Sequence, residues 1–297
     1  MTSVSPTLNT TTNPGRALTQ TMRAGCERFL SLIGTRPVIM GIVNVTPDSF
    51  SDGGRFEAPA AALAQAQKLV VDGADIVDVG AESTRPGHRP LSVEEEWSRL
   101  APVLETVVAQ AGAPVSIDTY KAETARRALA LGVAVINDVW GLQRDPDMAQ
   151  VVAEAGAGVV VMHNRAEADP GVDIVADMQR FFARSLEIAR KAGVPERAIL
   201  LDPGIGFGKS RQQNYDALRA VPTLLRLGFP LLIGVSRKSL FKDIPDGIVE
   251  GRLIGTLVAD LIAAQAGAQV FRVHDAAEHR AAFAVLKALS NIEGKTA

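Results

Sequence analysis

The chain has one cysteine, Cys26, no long apolar run, and no excess of charge of either sign. A single thiol cannot form an internal disulfide or a thiolate-based metal site, and it fits a reducing cytosol. With 31 basic against 33 acidic residues the net charge is -2, which argues against a broad nucleic-acid surface or a polybasic membrane anchor. A local anion site remains open. The first twenty or so residues are rich in Thr, Ser, Asn and Pro and lack the continuous apolar stretch of a secretory signal or a membrane span, so they read as a flexible tail. A transit peptide fits less well, because only Arg16 and Arg23 are basic there. The remainder holds no low-complexity segment, and 297 residues at 47% hydrophobic content suffice for one large barrel or two smaller domains.

What is present is a repeated unit. Eight short β-branched runs, at residues 38–43, 76–79, 115–117, 133–136, 159–162, 199–201, 231–235 and 270–273, alternate with stretches of helical period such as 60–71, 122–131 and 178–192. A glycine stands before nearly every run, where a helix must end in a left-handed residue. A doubly wound sheet shares these features, but eight units without a break favour an α/β fold closed as a (β/α)8 TIM barrel. The expected organisation is one barrel domain over residues 31–297 behind a flexible N-terminal extension over 1–30. Longer stretches with Gly, Pro, Ser and charge, at 46–56, 83–91, 165–173 and 204–214, mark the binding face.

The polar residues fall where such a barrel would gather them. Asn44, Glu82, Asp118, Asn137, His163, Asp202, Ser236, Arg272 and His274 each sit just past an apolar run, so closure should make them neighbours at the C-terminal strand ends. Asp118, Asp202, Asn137 and Lys238 together would suit a heterocycle that carries N–H donors beside a carbonyl acceptor, the pattern of a pterin ring. Taken alone, Asp118 also reads as a cap for the helix that begins near Thr119 and Lys121. Arg272 and His274, with Asn44, Ser49 and Arg85 on the first two loops, suit an anion; singly, they read as a surface ion pair and a satisfied imidazole. The stretch from Gly204 to Ser210 resembles a phosphate loop, yet only Ile205, Gly206 and Phe207 separate Gly204 from Gly208, one short of the Walker spacing. It reads better as a permissive loop that brings backbone and Phe207 against a planar ligand.

The ordered motifs carry a resemblance. Met40-Gly41-Ile42-Val43-Asn44-Val45-Thr46-Pro47-Asp48-Ser49-Phe50-Ser51-Asp52-Gly53-Gly54 and Glu82-Ser83-Thr84-Arg85-Pro86-Gly87 resemble the two signatures of the bacterial dihydropteroate synthases. Asp118-Thr119, Asn137-Asp138, Met162-His163, the stretch from Asp202 to Lys209, Ser236-Arg237-Lys238-Ser239 and Arg272-Val273-His274-Asp275 match the remaining motifs in order. Coverage runs from about residue 35 to the end. Val139-Trp140-Gly141 and Asn164-Arg165 depart from the residues more usual in the family, which puts the rim of the site in doubt.

The resemblance implies that p-aminobenzoate displaces diphosphate from a dihydropterin to give 7,8-dihydropteroate in folate biosynthesis. Asp118, Asn137, Met162, Asp202, Lys238 and Arg272 would bind the pterin. Asn44, Thr84, Arg85, Arg272 and His274 would meet the diphosphate, with Asn44 also holding Mg2+, and manganese would suit the same oxygen site. Thr84, Phe207, Ser236 and Lys238 would border the p-aminobenzoate pocket that sulfonamides share. The catalytic set would be Asp118, Lys238, Arg272 and His274, in a cytoplasmic homodimer without nucleic-acid or membrane partners. Three alternatives stand beside this one: a methyltetrahydrofolate-dependent methyltransferase, a Schiff-base aldolase using Lys238, and a pterin-binding paralogue without turnover.

Overall fold

The computed structural model describes residues 14–45, 57–82, 89–241 and 251–290. The strands are β1 (Val38–Asn44), β2 (Ile76–Gly80), β3 (Val115–Asp118), β4 (Val135–Asp138), β5 (Gly158–Met162), β6 (Ile199–Asp202), β7 (Leu232–Ile233) and β8 (Val270–Val273). The helices are α1 (Pro14–Leu32), α2 (Glu57–Val71), α3 (Val93–Gln110), α4 (Ala122–Ala130), α5 (Met148–Ala155), α6 (Ile174–Ala192), α7 (Arg211–Arg219), α8 (Val221–Leu225), α9 (Gly251–Gln265) and α10 (Ala276–Ser290). All strand pairs are parallel, in the order β6-β5-β4-β3-β2-β1-β8-β7. A parallel bridge between Leu201 and Leu231 joins the two ends of that order, so the sheet closes into a (β/α)8 barrel. The strands are mostly apolar because helices cover one face and the barrel interior the other, and their polar residues lie mainly toward the C-terminal ends.

Local chemistry sets the element ends. At the start of α3, the Ser92 hydroxyl accepts from the Glu95 amide at 3.2 Å and the Glu95 carboxylate accepts from the Ser92 amide at 2.8 Å, a reciprocal capping box. Asp173 caps α6 through two amides, and Gly193 ends it at φ 85°, a backbone conformation that costs glycine no Cβ clash.

Side-chain alternation divides the interior into layers. Val38, Met40, Ile76, Val135, Val160, Leu200, Leu232 and Val270 form one apolar cluster toward the N-terminal strand ends. The same parity, continued toward the C-terminal ends, aims Asn44, Asp78, Asp118, Asn137, Met162, Asp202, Arg272 and His274 into the mouth. The register supports this, pairing Asp118 with Asn137, Met162 with Asp202 and Asp78 with Ser116.

The expectation of a flexible extension over residues 1–30 does not hold for 14–30, which lie within α1; the boundary at residue 30 falls inside that helix. Met22, Cys26 and Phe29 are buried, and Cys26 and Phe29 belong to the apolar cluster inside the barrel floor. The apolar residues at 22, 26 and 29 have helical spacing, and burying them offsets the entropy of ordering the segment. β7 is shorter than its apolar run, since only Leu232 and Ile233 pair before the chain turns at Arg237, whose φ is 56°.

Candidate active site

The mouth of the barrel is organised by one arginine. Arg272, from β8, donates through Nε to Asp78 Oδ2 at 2.6 Å and through Nη2 to Asp118 Oδ2 at 2.9 Å. Asn137, from β4, donates its Nδ2 to the same Asp78 oxygen at 3.1 Å. Asp78 is fully buried, and the side chains of Asp118 and Arg272 are only 13% and 21% exposed. Asp78 Oδ1 and Asn137 Oδ1 are buried with no hydrogen-bond partner among the described residues. Orphaned acceptors of this kind cost free energy unless a ligand or water donates to them.

The charges press on one another. Burial raises the Asp118 carboxyl to about 7; Arg272 opposes that rise, while Asp78, Glu96 and Glu82 reinforce it. Burial works against the Arg272 charge too, but Asp78 and Asp118 outweigh it and hold the guanidinium above its ordinary value. Asp202 is raised by burial against the Gly204 amide bond and the charge of Lys238. Burial lowers the Lys238 ammonium to about 8, with Asp202 opposing. Such displaced acids and bases in one cleft are typical of a site built to meet a polar ligand.

A second half of the site lies on the loops after β6 and β7. Asp202 Oδ1 accepts from the Gly204 amide at 2.7 Å. The Lys238 ammonium donates to the Ile205 carbonyl and stands 4.8 Å from the Phe207 ring centre. Ser236 Oγ accepts from the His274 amide at 3.1 Å and pairs with His274 Nδ1 at 2.9 Å, which fixes the imidazole beside Arg272 on β8. Met162 is buried at the end of β5, and Asn44 is exposed at the end of β1.

The structure therefore brings together Asp118, Asn137 and Arg272 in one hydrogen-bonded set, and Lys238, Phe207, Ser236 and His274 on neighbouring loops. Thr84, Arg85 and Ser49, and with them most of the first two loops, lie outside the described residues. His163 does not join the mouth. It follows Met162 and so points outward, where its ring contacts Asp177 at 3.2 Å and packs edge-on against Phe181 at 4.9 Å. Burial lowers its imidazole to about 3 and leaves it neutral. Asp78 was missed because it lies inside the β2 run and not past its end; its parity with Ile76 was the available signal. Glu82 serves the rim, accepting from Tyr120 at 2.8 Å and from Lys121 at 2.5 Å.

Among the described residues no cluster of three His, Cys, Asp or Glu side chains could hold a metal unaided. Asn44 offers a hard carboxamide oxygen at the mouth, which suits magnesium that arrives on phosphate oxygens and keeps most of its own water.

Residues 40–274 match the family described as pterin binding enzyme. The chain is 43% identical over 240 residues to a dihydropteroate synthase of Bacillus subtilis, covering 81% of this chain and 84% of that protein. It superimposes on the crystal structure of a Clostridium difficile dihydropteroate synthase in the presence of pteroic acid, with a TM-score of 0.83, 44% identity, and coverage of 86% and 98% of the two chains. A Xanthomonas albilineans dihydropteroate synthase with 4-aminobenzoic acid gives a TM-score of 0.82 at 44% identity, covering 86% of this chain and 94% of that one.

The raised Asp118 has a measurable consequence for stability. Below the ordinary carboxylate value of 3.8 both folded and unfolded chains carry it protonated; between 3.8 and about 7 only the unfolded chain ionises, so its stabilising share falls as pH rises and is gone above about 7. The gap in urea midpoint between Asp118→Asn and the native protein should shift in favour of Asn between those values and level off above them. A gap that is constant from pH 4 to pH 8 contradicts the raised carboxyl.

Proposed function

The chain belongs to the dihydropteroate synthases of the pterin binding enzyme family, and we propose that it uses the barrel mouth to join a dihydropterin to p-aminobenzoate. It is a transferase: the amine nitrogen of p-aminobenzoate bonds to the exocyclic methylene of (7,8-dihydropterin-6-yl)methyl diphosphate, the C–O bond to diphosphate breaks, and the nitrogen loses a proton. The observation that carries the assignment of residues is the orphaned pair of acceptors, Asp78 Oδ1 and Asn137 Oδ1, beside two carboxylates and a lysine. A pterin edge supplies the missing donors, its amino group and ring N–H.

In this reading Asp118, Asn137 and Asp202 accept from the pterin, Lys238 donates to its carbonyl, and Met162 and Arg272 line its faces. Arg272 and His274, with Asn44 at the end of β1 and with Thr84 and Arg85, receive the diphosphate. Mg2+ held at Asn44 would supply electrostatic stabilisation of the leaving diphosphate. An aromatic amine is a weak nucleophile, so C–O cleavage runs ahead of attack and leaves positive charge spread into the dihydropterin ring. Asp118, ionised as pH rises through about 7 and fixed by Arg272, stands where it can stabilise that charge. Phe207, Ser236 and Lys238 border the arriving p-aminobenzoate, and Thr84 belongs to the same assignment.

No helix among the described residues is long and apolar enough to cross a membrane. A cytoplasmic homodimer without nucleic-acid partners belongs to the same proposal. On α9, Ile254, Val258 and Ile262 recur four apart and are 59%, 51% and 61% exposed, and on α10 Val285 and Leu289 are equally bare. A second copy laid on this apolar face would cover it, away from the barrel mouth.

Purified protein given the pterin diphosphate and Mg2+ should release diphosphate only when p-aminobenzoate is present, with dihydropteroate formed in equal amount. Binding of the pterin diphosphate without any dihydropteroate would leave the pocket and remove the synthase. Light scattering should give twice the mass of one chain, and the Ile254→Glu, Ile262→Glu double variant should give the single mass; a native monomer would refute the dimer.

A further inference from the structure

The glycine-rich stretch after β6 ends in Lys209, where a phosphate loop would present its lysine to a ligand. Here the lysine turns inward. Its residue is 8% exposed, and its ammonium donates to the carbonyls of His163 at 3.3 Å, Gly204 at 2.8 Å and Phe207 at 3.1 Å. An ammonium has three N–H donors and no acceptor, so these carbonyls use its whole capacity. A neutral amine would have two donors and would set a lone pair against the third oxygen.

We propose that Lys209 is a positioning residue for p-aminobenzoate: it fastens the loop that carries Ile205 and Phe207, and through them sets Lys238. The inference rests on the synthase reading and extends it to a residue outside the site's lining. The loop has little other freedom. Gly204 and Gly208 both have positive φ, and a Cβ on them would stand 1.9 Å from the His163 carbonyl oxygen and 2.2 Å from that of Arg165. The backbone is thus folded directly onto the loop after β5, with Lys209 as the ion at its centre. The Gly206 amide is held from outside by Asn214 Oδ1 at 2.6 Å. The product of this arrangement is a carbonyl, Ile205, that receives the Lys238 ammonium, and an aromatic face, Phe207, beside it.

Two pterin-facing residues, Asp202 through the Gly204 amide and Lys238 through the Ile205 carbonyl, touch this loop, and the rest of the pterin set is held apart from it. Among the described residues Asp118, Asn137 and Arg272 hold one another and Asp78, and none bonds to the 203–208 segment. Burial brings the Lys209 ammonium down to about 7; Asp202 and Asp177 oppose this, and Lys238 and Arg165 reinforce it. The staple is therefore at its tightest below neutrality, where all three donors are present.

The test uses the full-length protein and two variants. Lys209→Met keeps an unbranched apolar stem and removes the ammonium; Asn214→Ala frees Gly206 of the same loop without touching the lysine. Each should raise the KM for p-aminobenzoate about tenfold, on the scale of a slightly misplaced binding group, while the Kd for pterin diphosphate, read by calorimetry without p-aminobenzoate, rises by no more than about threefold, because Asp118, Asn137 and Arg272 keep their own bonds. An unchanged KM, or a parallel fall in affinity for both substrates, overturns the proposal. If Lys209→Met does not fold, Asn214→Ala decides by the same two readings. Absence of turnover in the native protein would sink the synthase reading instead, whereas native turnover with an unshifted KM in the folded variants sinks only this inference.

Discussion

The polar set contributed by β2, β3, β4 and β8 is referred to the guanidinium of Arg272, clamped between Asp78 and Asp118. Three charged groups sit in a space where isolated ions would be costly, and removing one partner from such a buried set typically costs about 3–5 kcal/mol. The clamp explains why Asp78, which has no access to solvent, is there at all. It neutralises an arginine that the strand parity forces inward, and it orients Asn137, whose carbonyl oxygen is left buried without a partner among the described residues. Fixing the arginine also fixes Asp118, because two nitrogens of one planar group reach two carboxylates. A site assembled from β2, β3, β4 and β8 thereby behaves as a single rigid constellation, which is what positioning catalysis needs.

Below this layer the barrel interior is apolar. The apolar cluster of Met40, Ile76, Val160 and Leu200, closed at the floor by Phe29 of α1, gives the polar layer a low-dielectric base. That base raises Asp118 and lowers Lys238 toward each other near neutral pH, the range in which the reaction must run. The loops after β6 and β7 bring Phe207, Ser236 and Lys238, which we assign to the second substrate, to the edge of the same constellation.

The barrel and much of the site were legible in the sequence because parallel strands announce themselves as β-branched runs and barrel chemistry collects at their ends. Asp118, Asn137, Asp202, Arg272 and His274 were found on that rule alone. The rule failed where strand end and strand parity disagree. His163 follows its strand, yet faces the outer helices, while Asp78 lies within its strand and faces the centre. Helical spacing of Met22, Cys26 and Phe29 was present in α1, but the polar composition of the first residues masked it. The inward turn of Lys209 was not legible, since the same letters describe a phosphate loop and a backbone staple, and only the folded contacts separate them.

The central claim is that the clamp assigns different work to two carboxylates of the barrel mouth: Asp118, tied to Arg272, serves the charge that develops during bond breaking, and Asp202, tied to the Gly204 amide, serves recognition of the ring. The most direct measurement is steady-state kinetics with pterin calorimetry on Asp118→Asn and Asp202→Asn. The expected result is a fall in kcat of about a hundredfold with little change in pterin Kd for the first, and a rise in pterin Kd of about tenfold or more with a smaller change in kcat for the second. Equal losses in both parameters for both variants would contradict it.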